Sequence, residues 1–141
     1  MDIHITERKL DHMRSFVQNL REYTEVPVEE FHDATIAARA AEREFQLFVD
    51  NAIDINTMLI RDSGKPIPDT YYKTFIELGT IGVLAHDTAT QLANCARMRN
   101  ILVHEYDIEV DVSKFYRSVH KFIPLFEHYL QTIFKLIQAS S

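Results

Sequence analysis

The sequence predicts an all-α fold: one antiparallel bundle of four to five helices, with residues 1–141 forming a single domain. Two observations carry this reading. Glycine and proline are scarce, 3 and 4 in 141 residues, too few for the turns of a β-sandwich or barrel. Apolar residues also recur at three- and four-residue spacing through most of the chain, the period of an amphipathic helix. The length suffices for one sizeable core without cross-links, and there is no internal repeat, low-complexity tract or domain linker.

The first helix is expected over Ile3 to Tyr23, with Ile5, Leu10, Met13, Phe16, Val17 and Leu20 on its apolar side. Val26-Pro27 interrupts it, and Pro27 suits the opening of a short turn because its missing N–H costs nothing there. From Asp33, a reasonable N-cap, the chain runs to Ser63 without Gly or Pro. Ala41, Phe45, Phe48, Ala52, Ile55 and Leu59 make a heptad-type seam in a helix about 40 Å long at ~1.5 Å per residue. Arg39, Arg43, Asp50 and Asp54 share a polar stripe on it, either a solvated face or the wall of a site or dimer contact.

Gly64, Pro66 and Pro68 in "RDSGKPIPDT" mark a loop, Asp69 is placed to cap the next helix, and that helix is expected from Thr70 to about Leu78. Gly79 and Gly82 loosen the chain. A fourth helix should then start between Ile81 and Thr88 and carry Leu92, Cys95, Ala96, Met98 and Val103 inward. Asp111 is the expected cap of the last helix. Its broad stripe of Val112, Phe115, Tyr116, Val119, Phe122, Ile123, Phe126, Leu130, Ile133, Phe134 and Ile137 implies a central position. Pro124 removes one backbone hydrogen bond there and predicts a local bend.

Composition narrows the function classes. The net charge of −6 counts against nonspecific nucleic-acid binding, so any RNA or DNA role needs a local basic patch, doubled if the chain pairs with itself. The single cysteine, Cys95, excludes an internal disulfide or a cysteine zinc cluster and reads as a small core residue. No basic-plus-apolar secretion signal stands at the N-terminus, so a cytosolic location is the default. Apolar runs such as Ile81 to Ala85 fall far short of the ~20 residues that cross a bilayer, and no membrane association is expected.

The chemistry concentrates in "RMRNILVHEYD", Arg97 to Asp107. Asn100 and His104 lie one turn apart, and Arg99 aligns with Tyr106, but Arg99 and His104 diverge by roughly 140° on a regular helix. They can share a substrate only at a helix end, or if a second copy faces the first. An arginine offers phosphate a permanently charged planar fork. A histidine with an unperturbed pKa near ~6.5 can take a proton from a ribose 2′-hydroxyl or give one to a departing 5′-oxygen. Asn100 could orient the imidazole or the phosphate, and the chemistry requires no metal and no cofactor. Spacing alone leaves a purely structural use of these residues open.

The segment resembles the R-x(4)-H-x-Y signature of HepT-type toxins in the HEPN superfamily, with Arg99, Asn100, His104 and Tyr106 filling the pattern. The long helix "RAAEREFQLFVDNAIDINTMLI" and the loop before "TFIEL" are also similar to that family, so the likeness spans about Asp33 to Tyr129. The resemblance implies an all-helical HEPN-like domain acting as a metal-independent endoribonuclease toxin. It also implies a homodimer whose two motif copies line one cleft, with RNA as substrate. Arg99 and His104 would be the catalytic pair supported by Asn100, and Arg97 would add positive charge for substrate binding, giving four cationic side chains per dimer with Arg99. The partner implied is a minimal nucleotidyltransferase antitoxin that transfers AMP from ATP to Tyr106, adding charge and bulk where an RNA phosphate must dock.

Two other readings compete. Glu29 and His32 have the Glu-x-x-His spacing of a carboxylate-bridged di-iron site, but no second copy accompanies them. A noncatalytic interaction module would use Arg99 and His104 to tie helix ends together. His120 and His128 read as partly exposed or hydrogen-bonded, and Tyr71 and Tyr72 as edge residues of their helix with base stacking as the functional alternative.

Overall fold

The computed structural model describes residues 1–32, 35–104 and 110–140. Asp2 opens the first helix by accepting the Ile5 N–H at 3.1 Å, and α1 runs over Ile3–Tyr23. Its buried seam is Thr6, Leu10, Met13, Val17 and Leu20, at alternating four and three residues. Ile5, expected on the apolar side, falls off that register and is exposed. Pro27 precedes a short 3-10 turn at Val28–Glu30, and Phe31 behind it is buried against Phe115 and Tyr116.

The long helix α2 spans Ile36–Asp62. Asp33, the expected cap, lies outside the described residues; Thr35 caps the helix, its hydroxyl oxygen accepting the Ala38 N–H at 3.1 Å. All six residues of the predicted seam are buried. The loop comes next, as expected, and α3 covers Tyr71–Thr80. Here Thr70 caps in place of Asp69, accepting from Lys73 N–H at 3.2 Å, while the Asp69 carboxylate pairs with the Lys73 ammonium at 3.2 Å. Gly82, at φ +83°, makes the turn out of α3 in a conformation that side chains with a Cβ resist.

α4 spans His86–Val103 and buries Leu92, Cys95, Ala96 and Met98. Val103 is only half buried and Leu102 takes the inward place, because the final turn follows the seam from Met98 at four residues rather than five. α5 spans Val112–Ser140, with Asp111 accepting the Lys114 N–H at 3.0 Å as its cap and Pro124 inside it on the exposed side. Of its predicted stripe Phe134 is the exception, exposed beneath the Arg14 guanidinium at 5.5 Å.

Among the described residues every regular element is helical. Lys9 meets Asp54 and Asn19 meets Glu44, so α1 and α2 run antiparallel; Arg14 over Phe134 and the Arg21–Glu127 ion pair set α1 antiparallel to α5. α4 packs against α2, α3 and α5. α2 and α5 lie diagonally and fill the middle with rings: Phe45 against Phe122 and Phe126, and Phe48 stacked on Phe126 at 4.0 Å. A buried polar chain crosses the same core. Tyr129 donates to Asn56 Oδ1 at 2.7 Å, Asn56 Nδ2 to Thr74 Oγ1 at 3.2 Å, and Thr74 Oγ1 to the Tyr71 carbonyl at 2.7 Å. Tyr129, Asn56 and Thr74 are thereby paired, as burial demands, and the first turn of α3 is tied to α2 and α5.

Candidate active site

The motif segment falls where α4 ends. Asn100, Ile101 and Val103 are weaker helix formers than alanine or leucine, and the helix closes at His104, whose backbone sits at φ −104°, ψ 32° while its N–H still donates to Asn100 O at 3.1 Å. The segment thus stands at a helix end. His104 is exposed at that cap, one turn beyond the exposed Asn100. Tyr106 lies outside the described residues.

Arg99 is held from several directions. Its Nε donates to Asp50 Oδ1 on α2 at 2.8 Å, and its Nη1 to Asn100 Oδ1 at 3.3 Å. The Tyr71 ring lies under the guanidinium at 5.2 Å, within reach of a cation–π attraction. With the side chain only 17% exposed, the fork loses the freedom a surface arginine has. Asp50 occupies the Nε edge, and Nη2 is left without a hydrogen-bond partner among the described residues. A cation fixed in this way is the arrangement that stabilises charge developing on a phosphate without reorganising first.

Arg97 is exposed and turns elsewhere: its guanidinium lies 4.3 Å from the centroid of the Tyr72 ring and Nη1 donates to Asn94 Oδ1 at 3.3 Å. The structure thus brings Arg99 and Asn100 into contact, fastens His104 to Asn100 through the backbone, and turns Arg97 away onto a second tyrosine.

Three residues join the site that motif spacing did not assign to it. Asp50 belonged to a recognised polar stripe on α2, yet nothing in the spacing marks which of its four charges turns to α4; Asp54 turns to Lys9 on α1 instead, and Arg39 and Arg43 are exposed. Tyr71 and Tyr72 were visible only as a pair at a helix start, and both carry an arginine from α4.

Other candidates stay apart. Glu29 and His32 are exposed, and among the described residues no group of three or more His, Cys, Asp or Glu side chains is arranged to hold a metal ion. His120 and His128 are exposed on α5. Cys95 is buried, and burial pushes its thiol well above the ordinary range, the opposite of an activated nucleophile. No helix among the described residues is long and apolar enough to cross a membrane.

The chain is similar to known proteins over most of its length. The family model described as "Ribonuclease HepT-like" matches residues 13–133. The chain is 28% identical over 131 residues to the tRNA nuclease HepT of Aphanizomenon flos-aquae, covering 92% of this chain and 87% of that protein. Among solved structures, the tri-AMPylated HEPN toxin of Shewanella oneidensis in complex with MNT antitoxin superposes with a TM-score of 0.81 at 19% identity, covering 94% of this chain and 97% of that one. The cytosolic protein YutE of Bacillus subtilis, of unknown function, superposes at 0.80 and 17% identity, covering 99% and 93%. A motif closing a helix, an anchored arginine within it and a family match over most of the bundle lead to one identification: the chain belongs to the ribonuclease HepT-like family.

Proposed function

We propose that this chain is a toxin of the HepT type, a single-domain, metal-independent endoribonuclease that works as a symmetric homodimer. The observation that carries the reading is the restraint of Arg99 by Asp50, Asn100 and Tyr71 next to the helix end that presents His104. In the reaction, the imidazole of His104 accepts the proton of a ribose 2′-hydroxyl, the 2′-oxygen attacks the adjacent phosphorus, and the bond to the 5′-oxygen breaks. The departing oxygen takes a proton from the imidazolium of the second protomer's motif, leaving a 2′,3′-cyclic phosphate and a 5′-hydroxyl. Arg99 stabilises the added charge on the phosphoryl oxygens, Asn100 steadies the fork, and Arg97 binds the neighbouring strand. The second protomer's motif supplies the remaining cations and the second imidazole.

Regulation is proposed at Tyr106. A minimal nucleotidyltransferase antitoxin would join the tyrosine oxygen to the α-phosphorus of ATP with release of pyrophosphate. The resulting diester would add a negative charge to the motif and so compete with RNA phosphate for its cations. The description of the Shewanella oneidensis toxin as tri-AMPylated and antitoxin-bound supports this reading.

One observation favours a noncatalytic module: the Arg99–Asp50 ion pair also ties α4 to α2. Cleavage of RNA in the presence of a chelator, abolished by Arg99→Ala and by His104→Ala with helical content preserved, is the expected outcome of the nuclease. An intact RNA pool with the wild-type protein would establish the module. For regulation, coexpression with the antitoxin should add AMP masses to the wild type that Tyr106→Phe loses.

A further inference from the structure

The motif accounts for the scissile phosphate but not for how an acidic protein holds the rest of a polyanion. Between Asp111 and Glu127 the sequence contains no acidic residue, while Lys114, Arg117, His120 and Lys121 fall within it. On α5 the three cations Lys114, Arg117 and Lys121 recur at three and four residues, so they share one face, and all three are exposed.

That face borders a groove of about 510 Å³ between α4 and α5. Lys114 and Lys121 rise from one wall and Arg97 from the other, while Met98, Ile101 and Phe122 provide an apolar floor. The acid on its rim, Asp111, is occupied as the cap of α5. Arg97 and His104, seven residues apart, share one face of α4, so the groove leads toward the histidine end of the motif.

We propose that this groove is the track for single-stranded RNA leading to the cleavage site, with Lys114, Lys121 and Arg97 on successive phosphates and bases against the apolar floor. The inference rests on the ribonuclease reading and extends it to substrate binding. Lys114 and Lys121 are about 10 Å apart along the axis at ~1.5 Å per residue, a span for backbone phosphates rather than for one small anion. A cationic wall over an apolar floor is how sequence-tolerant single-strand sites combine charge with stacking. In a chain of net charge −6, a groove whose charged lining among the described residues is Arg97, Lys114 and Lys121 against Asp111 is the complement of a polyanion.

The test uses the full chain carrying His104→Ala, so that RNA stays intact, and a fluorescent oligouridylate titrated over a series of salt concentrations. Lys114→Gln with Lys121→Gln should raise Kd about tenfold and flatten the slope of log K against log salt by about 1.4, near 0.7 for each lost phosphate contact. The paired Lys→Arg variant should keep both values. Unchanged Kd and slope in the paired Gln variant would overturn the proposal. So would loss of self-association or of antitoxin binding with RNA affinity intact, since the groove would then be a protein interface.

With His104 restored, the ratio of kcat/KM on long RNA to that on a dinucleotide should fall in the Gln variant. A wild type that cuts neither substrate would sink the ribonuclease reading, while the titration would still decide whether the groove binds RNA.

Discussion

The guanidinium of Arg99 and the carboxylate of Asp50, 49 residues apart in sequence, meet at 2.8 Å across the α2–α4 interface. The pair is partly buried, with side chains 17% and 35% exposed, so it is screened less than a surface ion pair. It couples the candidate phosphate-binding group to the helix that carries the longest seam of the core.

Asp50 is therefore expected to act as a positioning residue. Asp50→Ala should lower kcat roughly tenfold while KM for RNA changes little, and Asp50→Asn, which keeps an acceptor oxygen, should recover most of the loss. The cost in stability should be only about 1 kcal/mol, read from urea unfolding. A fall in stability with kcat unchanged would leave the pair a purely structural tie.

Arg99→Lys tests the fork itself. An ammonium on a flexible stem cannot hold Asp50 and present a second donor to phosphate from the same plane. Cleavage should fall on the order of 10² with the circular dichroism spectrum retained. Near-normal cleavage by the lysine variant would mean that charge alone suffices.

Tyr71 should matter through its ring rather than its hydroxyl. Tyr71→Phe keeps the face under Arg99 and is expected to cleave at the wild-type rate. Tyr71→Ala removes a cation–π contact of about 0.5–1 kcal/mol at a partly exposed site and should cost a few-fold in kcat/KM. Equal loss in both variants would point to the phenol oxygen instead.

Tyr129 makes stability depend on alkaline pH. Burial holds its phenol well above the ordinary value of 10.0, with Cys95 adding to the effect, and burial likewise raises the Cys95 thiol above 9.0. Both groups bind their protons more tightly in the folded chain than in the unfolded one. Their stabilisation is complete below the unfolded values and is lost as pH rises past them toward the folded values. Urea midpoints should thus hold from pH 7 to about 8.5 and fall above it. Tyr129→Phe should be less stable at neutral pH by about 1–3 kcal/mol, since Asn56 loses its donor, but should show a shallower alkaline decline. An unchanged slope in that variant would place the alkaline sensitivity elsewhere.

Much of this architecture was legible in the chain. The α2 seam, the loop at Gly64, Pro66 and Pro68 and the Asp111 cap all stand as read, because each depends on neighbours within one or two turns. Readings failed where two local candidates compete. Asp69 and Thr70 both suit an N-cap, and the outcome turned on which residue takes the extended conformation; Thr70 does, at φ −132°, ψ 152°. Phe134 is as apolar as its neighbours in the stripe, yet it ends up under Arg14 at the bundle's rim rather than inside it.

The sequence by itself determined which residues form helices and which face of each is buried, since 3.6-residue periodicity and capping are properties of contiguous chain. It also located the motif, whose residues span eight positions from Arg99 to Tyr106. Only the tertiary structure decided that Asp50 rather than Asp54 restrains Arg99, that Tyr71 and Tyr72 lie beneath the two arginines, and that the cations of α5 line a groove shared with α4. Those pairings depend on how rigid helices are rotated and shifted against one another. That choice is made by the packing of large rings such as Phe45, Phe48 and Phe126 in the common core, and local spacing carries no trace of it.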